Sequence, residues 1–242
     1  MAISVSDYIF LATLGFTLAA PLGPVNMEMI KRGVANSKGY IFAFITGVGA
    51  MTGDFLVAMS VLLIGAEIFV KLLEIRAVLF FLFIANTAIL TKIGLSAFRM
   101  EISTEFLAEN VNSELGNELA PKKLVRQYGV GFVLVTTSPW SYLFWASFGP
   151  VVFTSGIPLD SFLDKITVTM MFLTGILTWL FVIGITLKIS QTLASEKTLR
   201  FITKGSASLI LIFAASVFID AIWILFHDKP LLLINRFFDL FS

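Results

Sequence analysis

Ala20-Pro21-Leu22-Gly23-Pro24-Val25-Asn26 sets two prolines and a glycine inside an apolar run. Thr136-Thr137-Ser138-Pro139-Trp140 sets a second proline break inside an apolar run of the other half. A proline within a helix lacks an N–H and clashes with the preceding turn, so the helix ends or kinks there. In lipid the freed backbone groups find no water, and such breaks line a cavity or pack against protein. Paired breaks in corresponding halves of a membrane chain point to a transporter's binding site.

The surrounding composition supplies the membrane. The chain has 242 residues, 57% of them hydrophobic and 14% charged, with a mean hydropathy of +0.93. Soluble domains carry about 25% charged residues. Apolar stretches cover approximately residues 8–30, 39–66, 73–98, 129–155, 162–187 and 204–226. Each has the ~20 residues that a spanning helix needs. No alternating ~10-residue segments suggest a membrane barrel. The expectation is an all-α integral membrane protein with six transmembrane helices. No Lys or Arg precedes Lys31, so the positive region of a cleavable signal is missing and the first stretch is expected to be retained.

Positive charge sets the orientation. Lys31, Arg32 and Lys38 follow the first stretch, Arg99, Lys122, Lys123 and Arg126 the third, and Lys188, Lys197, Arg200 and Lys204 the fifth. The opposite side has Lys71, Arg76, Lys165, Lys229 and Arg236. The positive-inside rule then puts the richer connections in the cytoplasm and both termini outside, in the cytoplasmic (inner) membrane.

Six stretches divide into two sets of three, each opening with a broken helix. An odd number per set gives the halves opposite orientations, an inverted repeat. Gly15-Phe16 and Gly131-Phe132 precede the two breaks, and Phe44-Ile45-Thr46-Gly47 echoes Phe172-Leu173-Thr174-Gly175. The expected organisation is a first repeat at 1–99, a linker at 100–128, a second repeat at 129–228 and a tail at 229–242. Glu101, Glu105, Glu109, Glu114 and Glu118 alternate with Ile102, Phe106, Val111, Leu115 and Leu119. That spacing makes the linker an amphipathic cytoplasmic helix. Leu231–Phe238 is too short to span and reads as interfacial.

At both breaks a good N-cap residue, Gly23 or Ser138, precedes a proline at the first helical position, which starts a helix rather than merely kinking one. Each half-helix then begins deep in the membrane with free N–H groups and a positive dipole end, a site for an anion such as an amino-acid carboxylate. Asn26, Thr136, Thr137 and Ser138 could add hydrogen bonds. The bland alternative at each break is a kink held by neighbouring helices.

Ionisable groups inside the membrane are costly and are functional candidates by default. Asp54 lies midway along the second stretch among Gly47, Gly49 and Gly53. It is expected to handle the substrate amine and a coupled proton, a structural ion pair or hydrogen bond being the alternative. Glu28 is a candidate gate at the cytoplasmic entry, and Asp220 a candidate for an exit path. Lys92 can snorkel to the interface, and Asn86 suits an interhelical hydrogen bond. Trp140 and Tyr142 could wall a pocket or face lipid. His227, the lone histidine, is expected at the interface.

Pro21-Leu22-Gly23-Pro24-Val25-Asn26 resembles the P-[LI]-G-P-x-N signature of the LysE family of amino-acid exporters. Ile30-Lys31-Arg32-Gly33 and the glycine-rich second stretch with Asp54 also fit. The lysine-exporter branch has N-P-x-x-Y-L in its second half, and Ser138-Pro139-Trp140-Ser141-Tyr142-Leu143 is similar to it. The resemblance spans nearly the whole chain. It implies six helices in two inverted repeats and proton-driven export of amino acids or related metabolites. Ser138 replaces the branch's asparagine, and Phe144 stands where that branch often has an acid. These departures favour a neutral or apolar substrate over a strongly cationic one.

The resulting expectation is a secondary active exporter whose substrate site comprises Pro21, Gly23, Pro24, Asn26, Asp54, Thr137, Ser138, Pro139, Trp140 and Tyr142. Asp54, Glu28 and Asp220 would couple protons or gate. The implied partners are the bilayer, an amino-acid-like substrate and protons. Small residues allow a homodimer without requiring one. No cofactor or metal site is implied: the chain lacks cysteine, which removes disulfides and thiolate ligands. No basic cluster suggests nucleic acid, and no metalloprotease or nucleophile-elbow motif suggests an enzyme. A cation transporter and a non-transporting assembly protein are the alternatives.

Overall fold

The apolar stretches fold as helices, as a lipid-embedded backbone must satisfy its own polar groups. The computed structural model describes residues 4–20, 23–35, 38–65, 68, 75–99, 120–193 and 196–226. Its helices are α1 (Val5–Ala19), α2 (Pro24–Ala35), α3 (Gly39–Ile64), α4 (Arg76–Phe98), α5 (Pro121–Thr136), α6 (Pro139–Thr154), α7 (Phe162–Leu193) and α8 (Glu196–Phe226). No strand occurs among the described residues. Pro21, the acidic linker face, His227 and the tail lie outside the described residues.

Helices α3, α4, α7 and α8 are each long and apolar enough to cross a membrane. Helices α1 and α2 qualify together as a broken span bent by 69°. The described residues thus contain four spans, or five with the bent pair, against the six expected. The difference lies in α5 and α6, each 16 residues long. Helix α5 starts at Pro121, within the segment expected to be linker, and its first turns expose Lys122, Lys123 and Arg126.

Local chemistry fixes the helix starts. The Ser4 hydroxyl accepts the Asp7 N–H at 3.2 Å and the Asp7 carboxylate accepts the Ser4 N–H at 2.8 Å, a reciprocal cap worth about 1 kcal/mol. Ser161 and Asp164 repeat it before α7, with both reciprocal bonds at 3.0 Å. Apolar side chains on the outer faces, including Phe81, Ile185, Ile212 and Phe226, are exposed. Water would penalise such faces; lipid accommodates them.

The closest helix crossings are made by glycines. A Cβ on Gly15 of α1 would fall on the carbonyl oxygen of Phe172 in α7, and one on Gly175 on that of Ala12. A Cβ on Gly131 of α5 would fall on the carbonyl oxygen of Thr46 in α3, and one on Gly49 on that of Tyr128. Each crossing joins a helix of one half to a helix of the other. Its backbones touch because no side chain intervenes. Gly49, not Gly47, therefore occupies in α3 the role that Gly175 occupies in α7. Gly47 faces side chains of Leu180 and Met29 instead. Helices α4 and α8 pack extensively, and α3 packs on α7 between the two crossings.

Candidate functional site

The breaks are stitched, not merely tolerated. Helix α1 runs out at Ala19, and its end carbonyls lose their helical partners. Asn26, near the start of α2, donates its side-chain amide to the Ala19 carbonyl at 2.6 Å. The Asn26 oxygen accepts the Trp179 indole N–H from α7 at 3.1 Å. The Trp179 ring meets Phe16 of α1 edge-on at 5.7 Å. One tryptophan thus touches both sides of the first break.

The second break uses the same device. Helix α5 ends at Thr136, and Tyr142, one turn into α6, donates its hydroxyl to the Thr136 carbonyl at 2.7 Å. Thr136 and Thr137 direct their hydroxyl protons to Phe132 and Val133 carbonyls, at 2.9 and 2.6 Å, leaving only lone pairs to offer. Pro24 and Pro139 stand at the first positions of α2 and α6, as the sequence reading expects. The Gly23 carbonyl accepts the first helical bond from Met27 at 3.0 Å.

Two cavities open beside the breaks. The first, about 180 Å³, is lined by Gly23, Pro24, Asn26, Asp54 and Trp179 among others. A Cβ on Gly23 would meet nothing within 4 Å, so the backbone at the helix start faces open space. Asp54 is the acid in this lining. Its carboxylate accepts the Trp145 indole N–H at a long 3.4 Å and has no ion-pair partner among the described residues. Trp145 is itself fully buried. Its ring packs on Phe148 and Phe172 at 4.9 and 5.0 Å, contacts worth about 0.5–1.5 kcal/mol each. The second cavity, about 280 Å³, is lined by Ser138 and Trp140 of the second break, with Asn86, Ser141, Phe213 and Ser216. Pro24, Val25 and Val135 line both.

Gly23, Pro24, Asn26 and Asp54 therefore meet at one cavity, and Ser138 and Trp140 meet Pro24 at its neighbour. Pro139 is buried. Thr137 and Tyr142 line neither cavity; Tyr142 braces the break instead. Glu28 is fully buried and ion-paired to Lys31 and Arg32, three and four residues on, so its carboxylate is held by its own helix. Asp220 is buried on α8, and neither of its oxygens has a hydrogen-bond partner. It stands one turn beyond Ser216. Among the described residues no three Asp, Glu or His side chains gather as metal ligands. The sequence alone leaves Trp145 and Trp179 equally open, as pocket walls or as faces toward lipid or a neighbouring helix. A buried indole N–H needs an acceptor, and mid-membrane side-chain acceptors such as Asn26 and Asp54 are scarce; that pairing was the available signal.

The model of the LysE type translocator family matches residues 16–221. The chain belongs to the LysE family. The match takes in both breaks, both cavities and Asp220. This LysE-type chain is also 27% identical over 202 residues to a Bacillus subtilis (strain 168) protein named "Putative amino acid efflux protein YcgF". The alignment covers 83% of this chain and 89% of that relative. No solved structure matches this family member. Family and fold together make it a multi-pass membrane translocator.

Proposed function

We propose that the protein is a proton-coupled exporter of amino acids or related small zwitterions across the cytoplasmic membrane. The observation that carries this reading is Asp54: an acid without an ion-pair partner among the described residues, lining a cavity that also contains the start of a half-helix. The substrate carboxylate sits at the α2 N-terminus near Gly23 and Pro24, where the dipole favours an anion. Its ammonium group sits at Asp54, which takes up a proton when that group leaves. The relative named for amino acid efflux supports the substrate class.

In this reading α5 and α6 form one broken span, so six spans compose two inverted repeats, α1/α2–α3–α4 and α5/α6–α7–α8. The two glycine crossings support it, since exchange of the halves converts one into the other. Rocking about those crossings alternates access. Exposed Arg99, Lys122, Lys123, Lys188 and Lys204 support the cytoplasmic assignment of their connections and both termini outside. A cation carrier is less well supported, because Glu28 is already ion-paired and no three acidic or histidine side chains gather among the described residues.

The test is counterflow and uptake in proteoliposomes with a panel of labelled amino acids, with and without an imposed pH gradient. Gradient-dependent flux of one group is the expected result. Asp54→Asn should abolish coupled flux by 100-fold or more while expression and folding persist. Unchanged coupled flux in that variant would refute the role of Asp54.

A further inference from the structure

Two neighbouring cavities invite a division of labour. The first holds an acid, a helix start and an amide. The second is larger, and no residue lining it carries a charge. Its polar groups are three serines and Asn86, set among Leu90, Leu134, Phe213, Val217 and Trp140. The Ser216 hydroxyl donates to the Phe213 carbonyl at 2.9 Å, so it offers a cargo only lone pairs. An apolar cavity of about 150 Å³ already admits a benzene-sized group, and this one measures about 280 Å³. The wall it shares with the first cavity consists of Pro24, Val25 and Val135. Pro24 and Val25 open the helix at which the carboxylate would bind, and Val135 near the end of α5 lines both cavities with them.

We propose that the second cavity is the side-chain chamber of the transport site, with Val25 and Val135 forming the sill over which an uncharged, largely apolar side chain passes. This rests on the transport reading above. The substrate α-carbon lies at the sill, its ammonium and carboxylate on the Asp54 side and its side chain between α4, α6 and α8. A charged side chain in this chamber would leave its charge unpaired in an apolar surrounding. Large aliphatic and aromatic cargoes are therefore favoured over Lys, Arg, Asp and Glu. Asp220 does not line the chamber, although it continues the Phe213–Ser216–Val217 stripe of α8 by one turn.

Two variants test the assignment, with folding checked by size-exclusion chromatography and thermal melting. Ser216→Leu fills the chamber. It should lower kcat/KM for leucine, methionine and phenylalanine by 10-fold or more and leave alanine and glycine within about 2-fold. Val135→Ala lowers the sill and should raise the ratio of phenylalanine to alanine transport by about 10-fold, the scale of a one-methylene change in an apolar pocket. Unchanged size preference in both variants, with the wild type transporting amino acids, would overturn the chamber and leave the exporter standing. Lysine or arginine as the best cargo, lost in Asp220→Asn, would also overturn it and make Asp220 the side-chain partner. No amino-acid flux in folded wild-type protein would overturn both proposals together.

Discussion

Adding one methyl group to α7 should have opposite consequences at two positions. At Gly175 a Cβ would land on the Ala12 carbonyl oxygen and lie 2.6 Å from the Phe16 nitrogen. Both are backbone atoms and cannot rotate away, so α1 and α7 must separate. Overpacking costs about 1–3 kcal/mol, and the absence of any side chain that could yield puts Gly175→Ala at the upper end. At Gly184 a Cβ would meet nothing within 4 Å. Alanine there can only gain from helix propensity, up to about 1 kcal/mol, and less where the unfolded state in the membrane is already helical. The expected gap between the two variants is about 3 kcal/mol, roughly 100-fold in the unfolding constant. The assay is SDS-driven unfolding in mixed micelles followed by tryptophan fluorescence. Trp179 lies one turn from Gly175 with its ring against Phe16, so it reports the separation. Gly131→Ala, at the matching crossing of α5 with α3, should lose a similar amount. Equal stability of Gly175→Ala and Gly184→Ala would refute the claim that backbone contact at the glycines holds the halves together.

Two further outcomes follow from the buried polar groups. Asn26→Ala and Trp179→Phe should couple in a double-mutant cycle by about 0.6–1.7 kcal/mol, the range for hydrogen bonds between membrane helices; strict additivity of their unfolding free energies would dissolve the stitch across the first break. Asp220 is buried with neither oxygen hydrogen-bonded, so Asp220→Asn should stabilise the fold by about 1 kcal/mol, raising the thermal midpoint by about 2–4 °C. A lowered midpoint would show that the carboxylate is satisfied.

The helix starts at Pro24 and Pro139 were legible because proline and its preceding cap act locally. The start at Pro121 was not, because hydropathy detects the membrane-facing part of a helix and is blind to its charged first turns. Which glycine meets a backbone depends on which face the crossing selects: Gly49 meets the Tyr128 carbonyl, whereas Gly47, which sequence identity aligns with Gly175, faces side chains. The ion pairing of Glu28 is a different case. Its partners Lys31 and Arg32 stand at helical spacing in plain view, yet a membrane acid invites a functional reading before a structural one. Trp145 and Asp54 are 91 residues apart, and nothing local to either announces the pairing.

The Asn26–Trp179 bond closes over 153 residues of chain, and this bears on how the protein is made. At ribosomal rates of about 5–20 residues per second, α2 emerges roughly 8–30 s before the indole that donates to its Asn26 oxygen. During that interval the bent first span has neither its α7 partner nor its glycine crossing. A nascent segment with an unpaired amide oxygen and an uncovered glycine face is poorly suited to release into lipid. Its early residence therefore belongs at the insertion machinery, which can hold the first three helices until the second half arrives to cap them.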